Sequence, residues 1–102
     1  MKHPVLIKKD YTIYFEKVLY NEIQEVLVVH CDVSRWNKTV KQQLTIDSYN
    51  LFSKQDKPII VIHDKMDKKH LKFITMMGFH PCLDEITIAD GSKSMMFIWS
   101  NI

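Results

Sequence analysis

The sequence predicts an α/β domain in which a mixed sheet is flanked by helices and ends in an antiparallel hairpin. Three observations predict it. Ile59-Ile-Val-Ile62 is a run of branched aliphatics of the kind that fills an interior parallel strand. Val40, Leu44, Ser48 and Leu51, with Phe52 beside them, form the apolar stripe of a helix just upstream. Leu83–Ala89 and Ser94–Trp99 read as strands on either side of Asp90-Gly91, a dipeptide that turns a hairpin tightly because glycine accepts positive φ. Strand, helix, strand, helix, hairpin is an α/β order, and its crossovers are expected to be right-handed.

Taken in order, Val5-Leu-Ile7 after Pro4 reads as a short edge strand. The segment Tyr11–Gln24 fits two periods. Phe15, Val18, Leu19, Ile23 and Val26 fall at helical spacing, while Tyr11, Ile13 and Phe15 alternate like a strand. Lys17 would land on the buried face of the strand version, so a helix is expected here. Glu25–Cys31, with four consecutive aliphatics, is a buried strand. Asp32-Val-Ser-Arg-Trp-Asn37 is a polar turn supplying helix caps, and the helix that follows runs to about Lys54 before Gln55-Asp-Lys-Pro58 stops it. The last helix opens at Asp67, carries Leu71, Ile74 and Met77 as its apolar row with Phe73 and Met76 adjacent, and ends at Gly78, where a left-handed residue is wanted.

The chain has 102 residues, enough for one domain with a single modest core. Its 46% apolar and 25% charged residues are ordinary for a globular protein, and a net charge of +2 with both signs interspersed implies no broad surface for nucleic acid. Cys31 and Cys82 lie far apart without a CxxC partner and read as reduced thiols. No apolar run approaches the ~20 residues of a membrane helix. The stretch Met1–Lys9 has too short an apolar region for a signal peptide, so a cytoplasmic protein is expected.

From about Glu25 onward, over roughly three quarters of the chain, the order of elements and the Met77-Gly78-Phe79 segment resemble the C-terminal half of GNAT-type N-acetyltransferases. The matching pieces are Val26–Cys31, Asn37–Lys54, Ile59–Ile62, Lys68–Gly78 with Phe79, and Leu83–Trp99, so that residues 25–99 carry the likeness within one reduced GNAT-like domain. The short N-terminal part and the segment His30-Cys-Asp-Val-Ser-Arg-Trp-Asn37 are similar to small GNAT-like proteins encoded by bacteriophages. The resemblance implies acetyl-CoA as cofactor and an amine-bearing acceptor. It also implies a cofactor site at the start of the long helix, where this chain offers Ser34, Arg35, Asn37, Lys38 and Thr39 around Trp36. The family keeps glycines there so that backbone N–H groups can reach the pyrophosphate, and this turn has none. Ile74 stands where many members carry an acidic tyrosine.

Acetyl transfer to an amine needs a base and a polarising dipole. His30 and Asp32 fall near the C-terminal end of one predicted strand, His63 and Asp64 at the same end of its neighbour. Ligands of open α/β sheets bind beyond such ends, which makes His30, Asp32 and His63 the candidate catalytic residues. The same residues also read as polar groups that simply end buried strands. A metal site is not expected: no HExxH or CxxC spacing occurs, and contiguous strand residues face opposite ways. Two function classes follow, an acetyl-CoA-dependent enzyme and a non-catalytic module that binds a protein partner in phage assembly or in countering a host defence. No membrane or nucleic-acid partner is expected of either.

Overall fold

A computed structural model describes residues 1–20, 22–63, 67–87 and 93–99, and their side chains apart from those of 20, 83–87 and 93. The expected roles of Asp64 and of the Asp90-Gly91 turn lie outside the described residues. Six strands form one mixed sheet in the order β1-β2-β3-β4-β6-β5. β1 (Lys2–Ile7), β2 (Tyr11–Tyr20) and β3 (Gln24–Val33) form an antiparallel meander. Helix α1 (Lys38–Phe52) then crosses to β4 (Ile59–His63), which runs parallel to β3. Helix α2 (Lys68–Met76) leads to the antiparallel pair β5 (Phe79–Thr87) and β6 (Lys93–Trp99), and β6 inserts beside β4. The α/β class, the mixed sheet and the closing antiparallel pair are therefore as the sequence implies.

The helix expected over Tyr11–Gln24 is instead the ten-residue strand β2. It is paired along its whole length with β3, from Tyr11↔Val33 to Tyr20↔Gln24, and along part of it with β1. Tyr11, Ile13 and Phe15 are its buried positions, whereas Val18 and Leu19 of the helical row are 40% and 63% exposed. Lys17 is no obstacle, because the core ends at Phe15 and the strand runs past it into solvent. β5 also starts at Phe79, four residues before the expected Leu83, directly after the helix.

Local chemistry fixes the helix ends. Asn37 is extended, and its Oδ1 accepts the Val40 N–H at 2.8 Å. Asp67 does the same for the His70 N–H at 2.9 Å. α2 stops at Gly78, whose φ of 97° lies in the left-handed region and whose N–H reaches the Thr75 carbonyl at 3.1 Å. Val40, Leu44 and Phe52 of α1 and Ile74 of α2 pack with Leu27, Val29, Ile59, Val61 and Phe97 in one main core on a single face of the sheet. A smaller cluster of Val26, Val28, Ile60 and Met96 occupies the other face, built from strand residues alone among those described. The two outer strands, β1 and β5, carry Pro4 and Pro81, each beside a shift in register.

Candidate functional site

The site arises where the sheet comes apart. β3 and β4 are joined at Leu27↔Ile59 and Val28↔Ile60 and by the Leu27 N–H on the Pro58 carbonyl at 2.9 Å, and the described ladder stops there. Beyond it β3 runs on to Val33 and β4 to His63 with a cleft of about 1040 Å³ between them and α2. Backbone groups of successive strand residues point to opposite neighbours. Leu27 bonds toward β4, whereas the Ser34 N–H bonds back to Asp10 at the head of β2 at 2.9 Å. The Val28↔Ile60 pair uses the Val29 N–H, so the C=O of Val29 and the N–H and C=O of Cys31 are the backbone groups that face the cleft. Lys2, Lys41, Lys69 and Lys72 stand around it with His30 and His70, against Asp32 and Asp67, so its rim is basic.

His30 and Asp32 share the helix-free face of the sheet with Val26 and Val28. His30 Nε2 lies 3.1 Å from Glu16 Oε1, and the hydrogen bond from His30, followed by the amino group of Met1, holds the Glu16 carboxyl below its usual range. An ionised Glu16 takes an N–H from Nε2, which leaves Nδ1 of His30 as the proton acceptor. Asp32 is hydrogen-bonded by the Tyr14 hydroxyl, the leading reason that the Tyr14 pKa is raised. Lys2 Nζ sits 4.7 Å from the centroid of that same Tyr14 ring.

His63 faces the other way. The register that sets Leu27 opposite Ile59 puts residues 59, 61 and 63 on the helix side, and His63 is 3% exposed there. Its Nδ1 lies 2.9 Å from Nδ1 of His70 on α2. The ring centroids are 5.1 Å apart and the planes 18° from parallel, so the rings meet end to end at these nitrogens. One Nδ1 donates and the other accepts. The two nitrogens aim at each other and not at a common point, which is not how two ligands converge on an ion. Among the described residues no three His, Cys, Asp or Glu side chains are grouped to hold a metal.

No family model, curated protein or solved structure matches this chain.

The candidate cofactor residues gather around α1 but not in the cleft. Ser34 Oγ donates to the Asp10 carbonyl at 3.2 Å, Asn37 caps the helix, and Lys38 borders a shallow groove of about 410 Å³ on the outer flank of α1. Arg35 and Thr39 are exposed and not among the cleft's described lining. Trp36 and Lys41 line it instead. Trp36 is 49% exposed and rests on Phe73 of α2, ring centroids 5.6 Å apart, so it forms a wall at the mouth and does not plug the interior. Lys41 carries no local signal in the sequence, and only the fold brings it on α1 to one opening with Lys69 and Lys72 of α2. Cys31 also lines the cleft, but burial, followed by the charge of Asp32, pushes its thiol up to about 11, so it is a neutral lining group.

Proposed function

We propose that this chain is a reduced GNAT-like N-acetyltransferase that holds acetyl-CoA in the β3–β4 cleft and passes its acetyl group to an amine. The observation that carries the reading is the parting of β3 and β4 after Val28 and Ile60. The parted edge offers the Val29 carbonyl and the Cys31 N–H and C=O to an extended, amide-bearing arm, which can bond to them as an added strand would. Lys41, Lys69 and Lys72 at the rim suit the phosphates, in the role that the resemblance gives to Arg35 and Lys38. His30, oriented by Glu16, is the base that takes the amine proton, with Asp32 beside it. The order of strands and helices and the ending of α2 at Gly78-Phe79 support the same reading. The thioester supplies the activated acetyl group.

Calorimetric titration with acetyl-CoA, alongside CoA, tests it. Micromolar binding that weakens in a Lys41→Ala, Lys69→Ala double variant is expected. No heat and an unchanged melting temperature at millimolar ligand would reject the reading.

One contact favours the second reading, a non-catalytic module for a protein partner. The Trp36–Phe73 pair spans the mouth through which the phosphates must pass, and Asn37 already occupies a helix N–H that an anion would use. A Trp36→Ala variant separates the two. It binds acetyl-CoA at least as well as the parent if the cleft is a cofactor site, and it loses a partner contact if the mouth is a docking surface.

A further inference from the structure

We propose that the chain acetylates itself, and that the ε-amine of Lys2 is the acceptor its own fold delivers to the cleft. The proposal rests on the acetyltransferase reading above and goes beyond it by naming the amine. Lys2 pairs with Glu16 across the β1–β2 ladder, which sets its side chain on the face that carries Glu16, Tyr14, His30 and Asp32. Lys2 is itself part of the cleft lining. Its Nζ is held over the Tyr14 ring at 4.7 Å, and that ring's hydroxyl bonds Asp32. Tyr14 in turn lies directly across the ladder from His30. A primary amine, an aromatic platform that steers it, and a histidine with an orienting carboxylate are thus gathered beside the parted edge.

The step balances without another reagent. The lysine ammonium gives one proton to Nδ1 of His30, and the freed nitrogen attacks the thioester carbonyl carbon. The C–N bond forms and the C–S bond breaks. The sulfur leaves with the electron pair and takes the second proton from nitrogen. The products are an amide on Lys2, the CoA thiol and one proton, which His30 returns to solvent.

The test incubates the whole chain with acetyl-CoA and maps acetyl groups by peptide mass spectrometry, while calorimetry on the same sample records binding. Lys2 is expected to be modified first, and His30→Ala is expected to slow it on the order of 100-fold, the scale of a lost general base. His30→Gln, checked for an unchanged melting temperature, guards against a variant that fails to fold. A second readout needs no catalysis: CoA should shield Lys2, but not the exposed Lys54, from an amine-reactive acetylating label. Binding with Lys2 unmodified, or with the acetyl on the Met1 amino group or spread evenly over the lysines, overturns the proposal and leaves the cofactor reading standing. Absence of binding overturns both.

Discussion

Cys31 shows how position alone can quiet a reactive side chain. Its sulfur lines an open cleft, yet burial pushes its pKa up to about 11. At neutral pH its alkylation by iodoacetamide should therefore run roughly two orders of magnitude slower than that of a free cysteine and climb as pH approaches that value. A neutral-pH rate equal to that of free cysteine would contradict the neutral-thiol reading. Glu16 has the opposite sense. Its lowered pKa means that its pairing with His30 stabilises the fold above the ordinary glutamate range, a contribution lost as pH falls through the depressed value. At this scale the sequence was only half legible. It placed His30, Asp32 and His63 at strand ends, which is where they are, but the face each one takes depends on the register between strands. With Leu27 opposite Ile59, an even-numbered residue of β3 and an odd-numbered residue of β4 point to opposite sides. The His63–His70 contact needs α2 folded back on β4, and nothing in the local pattern of either histidine announces it.

Among the elements, α2 was readable in detail because its ends obey local chemistry. Gly78 sits at φ 97°, where a Cβ meets the neighbouring carbonyl. Gly78→Ala should cost about 1–2 kcal/mol in chemical denaturation, with Phe79 and β5 losing their alignment first. An unchanged denaturation midpoint would mean that the backbone there relaxes freely. β2 was misread for a reason that is also physical. Ten residues with apolar groups at both periods do not choose between helix and strand on local grounds, and what decides is the pairing available on either side. Those partners, β1 and β3, lie before and after it in sequence, and only their joint hydrogen bonding makes the strand win.

For the molecule as a whole, the fold class was legible because the branched run Ile59–Ile62 and the stripe of α1 are strong, non-overlapping patterns. The convergence of the core on one residue was not. Phe52, 1% exposed, ends α1 and packs its ring against Phe15 of β2, Phe79 of β5 and Trp99 of β6, with centroids 6.1, 5.7 and 5.6 Å away. It ties the first meander to the last pair across the face that both helices cover. Phe52→Ala should cost roughly 3–5 kcal/mol in global unfolding, a large share of the stability of a domain this size. A loss below about 1 kcal/mol, or separate unfolding of the two halves, would show that the core does not act as one unit.

The parted strands have a consequence for how this molecule meets others. A sheet ordinarily has two borders at which foreign strands can dock and seed aggregates, and here both are blunted by a proline beside a register shift. The splay creates a third border, inside the sheet, from the Val29 carbonyl through Cys31, where proline is absent and the Cys31 donor is kept. Strand addition is discouraged at both outer borders, and the edge left open lies inside a cleft walled by α2 and Trp36.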